Sequence, residues 1–64
     1  MKYKIFWNNH YPGFWRWHKE FCEKYNISRD VTINYVTTVE LTDEQISLFQ
    51  KAIKSGFIEH INKI

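Results

Sequence analysis

The sequence contains little cysteine, proline or glycine: one Cys, one Pro and two Gly among 64 residues. The lone Cys22 excludes an internal disulfide, and a free thiol is typical of a reducing compartment. Two isolated glycines cannot build a glycine-rich phosphate-binding loop. The apolar run Ile5–Trp7 is too short for a signal peptide, and nothing approaches the ~20 apolar residues of a membrane helix. We therefore expect a soluble, cytoplasmic protein with no membrane partner.

Neither sign of charge is in large excess, because the formal net charge is only +2. Residues 1–30 carry six basic and three acidic side chains, and residues 31–64 carry three basic and four acidic ones. This mild tilt excludes an acidic mimic of DNA, and it is weaker than the basic stripe of a typical nucleic-acid-binding protein. The length predicts one domain, residues 1–64, which buries only about 60% of its unfolded surface.

Aromatic residues are what this sequence has in excess. Of its twelve Phe, Trp and Tyr residues, nine lie in the first 25 positions. The segment Phe14–Tyr25 predicts an amphipathic helix around which the fold is organised. Phe14, His18, Phe21 and Tyr25 share its apolar side, with Cys22 just beyond. Trp15 and Trp17 fall at opposite margins, separated by ~160°, so we expect at least one of them to be exposed.

The predicted strands lie on both sides of this helix. The alternation within Lys2–Trp7 predicts a short strand. Its core face carries Tyr3, Ile5 and Trp7, and its other face carries Lys2, Lys4 and Phe6. Pro12 and Gly13 predict a turn that leads into the helix. Asn26 is expected to end the helix in the left-handed conformation, with Ile27 packing back and Ser28–Asp30 as a polar connection. Val31–Leu41 alternates throughout and predicts one long strand.

The C-terminal third of the chain predicts a second helix and an ambiguous tail. Thr42 and Gln45 form the pattern of a capping box, so the helix spans Thr42–Ser55 and ends at Gly56. Its apolar stripe consists of Ile46, Phe49, Ala52 and Ile53, with Leu48 at the margin. Residues 57–64 predict a short third strand, with a short helix as the alternative. The fold class is therefore a small α+β domain of order β-α-β-α with a possible C-terminal strand.

No arrangement of residues indicates catalysis. Acidic residues are scattered, and so short a chain has little room for a cleft and its supporting residues, so we expect no enzyme and no cofactor. His18 and Cys22 lie four residues apart on one helix face, and with His10 and His60 they form a conceivable zinc set. We prefer a buried histidine beside a small buried thiol, and hence no metal.

The aromatic excess instead favours a protein-binding module. Exposed Trp, Tyr and Arg are enriched at interface hot spots. The expected partner-binding residues are His10, Tyr11, Trp15, Arg16 and Lys19. We expect the partner to be a larger host protein or complex. The heavy use of Asn, Ile and Lys hints at an AT-rich genome, and proteins this short are common in phages and mobile elements. A concrete form of the binding module is therefore a phage or mobile-element inhibitor of a host enzyme or defence system, such as an anti-CRISPR.

Two alternatives stay open. The first is nucleic-acid binding, in which aromatic rings stack on bases and a groove is lined by six basic residues: Lys2, Lys4, Arg16, Lys19, Lys24 and Arg29. The second is a structural homodimer or a subunit of a larger assembly, in which the long strand Val31–Leu41 pairs across a two-fold axis.

Overall fold

A computed structural model describes residues 1–28 and 32–64 of the chain. Arg29 and Asp30 of the expected connection and Val31 of the expected strand lie outside the described residues. Seven elements follow one another: β1 (Lys2–Trp7), α1 (Phe14–Lys24), β2 (Thr32–Ile33), β3 (Val36–Glu40), α2 (Asp43–Leu48), α3 (Gln50–Ser55) and β4 (Ile58–Lys63). The small α+β domain predicted from the sequence is confirmed, with more elements than expected.

The four strands form one antiparallel sheet in the order β2-β3-β1-β4. The helix α1 connects β1 to β2, and α2 and α3 connect β3 to β4. In each case another strand lies between the two that are connected, so the chain makes two interleaved β-α-β units. The expected C-terminal strand is confirmed as β4, so the alternative of a short helix at residues 57–64 is wrong. The predicted order β-α-β-α is incomplete, since a fourth strand arises within residues 31–41.

The prediction of one long strand over Val31–Leu41 is wrong, because the chain turns back in its middle. Asn34 and Tyr35 adopt positive φ angles of 53° and 63°, which is the pattern of a type I′ hairpin turn. The turn is held to β1, where the Trp7 N–H donates to the Tyr35 carbonyl at 3.0 Å. As a result β3 is paired on both sides, and it has no edge left for the two-fold pairing that we considered from the sequence.

The alternation of β1 is confirmed. Tyr3, Ile5 and Trp7 are buried, whereas Lys2 and Lys4 on the other face are exposed. The helices cover the buried face. The opposite face is largely exposed in the described part of the chain. There, one row of neighbouring side chains crosses all four strands: Ile33, Val36, Phe6 and His60.

Trp7 lies at the centre of the core. Its ring centroid lies 4.8 Å from His18, 5.4 Å from Phe21, 5.2 Å from Phe57 and 6.3 Å from Phe14. Aromatic pairs of this kind contribute ~0.5–1.5 kcal/mol each beyond their buried area. Aromatic packing therefore supplies much of the cohesion of a chain too short for a large aliphatic core.

The helix ends follow the predicted signals. Thr42 Oγ1 accepts from the Gln45 N–H and the Gln45 side chain accepts from the Thr42 N–H, so the capping box is confirmed. Gly56 ends α3 with φ 87°, and Asn26 follows α1 with φ 56°. Ile27 packs back and is buried, as predicted.

The second predicted helix is divided into α2 and α3 at Phe49, whose ring is fully buried. Ile46, Ala52 and Ile53 are half-buried around it, and Leu48 is 60% exposed. The apolar stripe is therefore confirmed, with Phe49 as its only fully buried member.

Candidate functional site

The turn before α1 determines where the first aromatic side chains lie. The Phe14 N–H donates to the Tyr11 carbonyl at 3.0 Å, closing a turn in which Gly13 has φ 68°. Glycine adopts this left-handed conformation without the steric cost that a Cβ would add. The turn brings the Tyr11 ring to 5.2 Å from Phe57 and leaves His10 exposed.

Both tryptophans of α1 are exposed, Trp15 by 55% and Trp17 by 48%. The helix is anchored beneath them, because Phe14, His18 and Cys22 are buried on its inner side. Two large exposed rings therefore stand on a helix that is anchored by buried residues on its inner side. Such rigid aromatic side chains lose little conformational entropy on binding.

Trp15 lies where α1 meets the β2–β3 hairpin. Its ring centroid is 5.0 Å from Phe14 and 5.4 Å from Tyr35. The Tyr35 side chain is thus positioned by the left-handed turn, which puts its ring beside the helix. Lys19 is one turn further along α1 and is exposed.

Trp17 stands on the other side of α1, at the rim of a groove of about 310 Å³. The groove opens between α1 and the segment that joins α3 to β4. Its lining residues are mostly aromatic: Tyr11, Trp17, Phe21, Tyr25 and Phe57, with Glu20, Lys24 and Ser55. Apolar walls with a few polar groups are typical of a binding pocket.

The charges around this groove are balanced. Glu20 and Lys24 are one helical turn apart and both line it. The Arg16 guanidinium lies 5.9 Å from the Trp17 ring centroid, and the Lys24 ammonium lies 5.4 Å from that of Tyr25. Both distances are within the range of cation–π attraction. The rim therefore offers both signs of charge beside exposed ring surface.

The five partner-binding residues expected from the sequence do not form one patch. Tyr11 lines the groove beside Trp17, whereas Trp15 packs toward Tyr35 on the opposite side of the helix. His10, Arg16 and Lys19 are exposed.

Of the groove residues, Tyr11 alone is among the partner-binding residues expected from the sequence. Trp17, Glu20, Phe21 and Lys24 recur at helical spacing on one face, a signal that was available. The position of Phe57 is set by long-range pairing of β4, and no local pattern reveals it.

His18 and Cys22 share one helix face, as predicted, and both are buried. His18 Nε2 lies 3.5 Å from Cys22 Sγ and 3.2 Å from Thr32 Oγ1. The Trp7 indole N–H donates to Thr37 Oγ1, which lies 2.6 Å from Thr32 Oγ1. A chain of hydrogen bonds thus links the core tryptophan to the core histidine.

The other two histidines lie elsewhere, His10 in the loop before α1 and His60 on β4. Among residues 1–28 and 32–64, no group of three or more His, Cys, Asp or Glu side chains could hold a metal ion. The conceivable zinc set of the sequence is therefore not assembled in the described chain.

The basic residues weighed for nucleic-acid binding are divided between two surfaces. Lys2 and Lys4 extend from the open face of the sheet, whereas Arg16, Lys19 and Lys24 lie on α1, which covers the other face. Arg29 is outside the described residues. One continuous basic groove through all of them is not formed.

Three ionisable groups with shifted pKa values, Tyr3, Glu40 and Asp43, lie at the Tyr3 end of β1. The Tyr3 hydroxyl donates to Asp43 Oδ1, and this bond, followed by burial and the Asp43 charge, raises the pKa of Tyr3. The same bond, followed by the Lys63 charge, lowers the pKa of Asp43. The N-terminal ammonium, 2.6 Å from Glu40 Oε1, lowers the pKa of that carboxyl. The Tyr3 bond ties β1 to α2 and the N-terminal contact ties the chain start to β3, whereas the groove lies near the Trp7 end.

Comparisons with protein-family models, curated proteins and solved structures found no match for this chain. In the described ranges, no helix has the length and apolar character needed to cross a bilayer. A functional proposal for this chain therefore depends on its own geometry.

Proposed function

We propose that this chain is a non-enzymatic protein-binding module that docks on a larger protein through α1. The observation that carries the proposal is the pair of tryptophans, Trp15 and Trp17, which are half exposed on a helix anchored in the core. Exposing two indole rings to water is unfavourable, and such rings are the commonest hot-spot residues of protein interfaces.

The groove defines how a partner is held. A volume of about 310 Å³ is enough for one large apolar side chain, and the walls of Tyr11, Phe21 and Phe57 suit an aromatic or branched aliphatic group. Glu20 and Lys24 at the rim offer partners for one cation and one anion of the docked surface. Insertion of one apolar side chain beside two peripheral charges is the arrangement expected of a hot spot with a polar rim.

The first experiment is affinity capture from a lysate of the source organism, with nuclease and moderate salt, followed by calorimetry on the captured protein. Trp17→Ala and Trp15→Ala should each weaken binding at least ~10-fold, which corresponds to ~1.4 kcal/mol. Leu48→Ala is the matched control, because Leu48 is a large apolar residue that is 60% exposed on α2, away from the groove.

Melting temperatures separate docking from folding. Both tryptophan variants should melt within a few degrees of the parent, because surface substitutions usually change stability by no more than ~0.5 kcal/mol. Equal losses for Leu48→Ala and Trp17→Ala, or a loss of binding that tracks the loss of stability, would contradict the proposal. If the captured protein is an enzyme whose activity falls on binding, the module is an inhibitor, as we expect of a phage or mobile-element protein; unchanged activity would make it an adaptor.

A second candidate, single-stranded nucleic-acid binding, is favoured by one observation on the open sheet face. The Phe6 and His60 rings stack there with centroids 4.2 Å apart and an interplanar angle of 15°. Lys4 and Lys2 follow along the same face of β1. A base that stacks against this ring pair would bring its phosphates near the lysines. Affinity for an oligonucleotide that falls steeply with salt, and that Phe6→Ala lowers while Trp17→Ala does not, would support this candidate.

A further inference from the structure

The strand β4 forms a long edge of the sheet. It pairs with β1 on one side only, and it has six residues, whereas β2 at the other edge has two. In an antiparallel ladder, alternate residues direct both backbone groups toward the neighbouring strand. The Ile64 N–H donates to the Lys2 carbonyl at 2.9 Å, so Asn62 and His60 also face β1. The backbone groups of Ile61 and Lys63 therefore face outward.

An exposed edge of this kind is a template for another strand. Native proteins protect such edges with charges and bulges, and β4 has a bulge where Glu59 is inserted between the partners of Phe6 and Trp7. The bulge lies at the start of the strand, and the register is regular from His60 to Lys63. The protected part of the edge is therefore the part nearest Ile58, and no strand within residues 1–28 and 32–64 pairs with the outer side of residues 60–63.

The sequence of β4 is complementary to itself. If two copies pair antiparallel about a two-fold axis at Ile61, residues 60–62 pair in regular register, and Glu59 of each copy, at the bulge that ends this register, lies beside Lys63 of the other. His60 of each then lies opposite Asn62 of the other. Opposite charges across paired strands are favourable, and like charges there are unfavourable. The arrangement satisfies both copies equally, as a two-fold interface requires.

We propose that β4 pairs with β4 of a second copy, with the two-fold axis at Ile61, to join two four-stranded sheets into one of eight strands. The outward N–H of Ile61 donates to the Ile61 carbonyl of the second copy, and the reverse bond is equivalent. Ile64, 63% exposed, and the half-buried Ile61 add apolar contact at the seam. The surface buried by so short a strand pairing is smaller than the ~1,200 Å² of stable complexes. The dimer therefore exchanges with monomer at micromolar concentrations.

Sedimentation equilibrium over a range of concentrations tests the pairing. Lys63→Glu puts Glu beside Glu at both ends of the seam, and the association constant should fall at least ~10-fold. The double variant E59K/K63E exchanges the two charges and should restore association. Lys51→Glu is the control, since it makes the same change of net charge at an exposed position of α3 that takes no part in the strand pairing.

Amide hydrogen exchange gives an independent readout of the register. The Ile61 N–H should become protected as the protein concentration rises, whereas the His60 N–H, which faces β1, should be protected at every concentration. A molecule that stays monomeric at all concentrations would overturn the proposal. So would a double variant that fails to recover, or a Lys51→Glu variant that dissociates as readily as Lys63→Glu. Melting curves confirm that each variant is folded, because Lys63 also lies near Asp43.

Discussion

Thr37→Val tests the hydrogen-bond chain that runs through the core. The Thr37 side chain is fully buried, and its Oγ1 accepts the Trp7 indole N–H at 2.6 Å. Valine has nearly the same shape as threonine but cannot accept a hydrogen bond. The substitution therefore leaves the indole N–H of Trp7, which is 3% exposed, without this acceptor in the core.

The magnitude follows from two opposing terms. A buried donor that loses its partner costs ~1–3 kcal/mol, and the methyl group that replaces the hydroxyl returns up to ~0.8 kcal/mol by its burial. The net loss is ~0.2–2 kcal/mol, out of the ~3–10 kcal/mol by which a domain of this length is stable. The melting temperature should therefore fall by ~1–15 °C.

The adjacent residue supplies a matched control. Thr38 is exposed on the open face of the sheet, so Thr38→Val makes the same chemical change without stranding a buried donor. We expect its unfolding free energy to stay within ~0.5 kcal/mol of the parent. Scanning calorimetry and urea titration of both variants measure the difference. If Thr37→Val melts like Thr38→Val, the buried hydrogen-bond chain does not stabilise the fold as we argue.

Two further predictions concern the core and its dependence on pH. Phe49→Ala removes a fully buried ring that contacts Phe21 and Tyr25, and it should lower the unfolding free energy by ~3–5 kcal/mol. Phe21→Ala should cost less, because the Phe21 ring is half-buried. Urea titrations that show the reverse ranking would contradict this description of the core. Because the folded-state pKa of Asp43 is lowered, its contribution to stability is present above the unfolded-state pKa of ~3.9 and is lost as the pH falls through the folded-state pKa. Asp43→Asn should therefore flatten the acid limb of a plot of unfolding free energy against pH, and an unchanged slope would refute the role of the bond from Tyr3.

The elements that could be predicted from the sequence are those with a strong local signal. The alternation of Lys2–Trp7, the helical spacing of Phe14–Tyr25 and the capping box at Thr42 each depend on neighbours within a few residues. Each therefore specifies its local structure before any tertiary contact forms. The prediction of exposed tryptophan on α1 likewise followed from helical geometry, because two residues ~160° apart cannot both face one core.

The hairpin within residues 31–41 could not be predicted in the same way. Type I′ turns favour Asn and Gly, and this turn has Asn34 followed by Tyr35, a residue that rarely adopts a positive φ. Tyrosine is found there because tertiary contacts compensate for the strain: its ring packs on the buried Phe14, and its carbonyl accepts from Trp7. Such compensation exists only in the folded chain.

The groove was missed for a related reason. Its wall contains Phe57, which is 36 or more positions away from the α1 residues Trp17 and Phe21 that face it. Only the pairing of β4 with β1 brings these side chains together, and strand order is not encoded in any local pattern.

The unequal burial of the three tryptophans gives this protein two separate optical reporters. Trp7, 3% exposed, should emit at short wavelength and resist quenching by iodide, whereas Trp15 and Trp17, 55% and 48% exposed, should be quenched readily. Unfolding exposes the buried fluorophore, whereas docking through α1 shields the accessible ones and leaves Trp7 unchanged. One unlabelled sample therefore distinguishes loss of structure from occupation of the surface within a single titration.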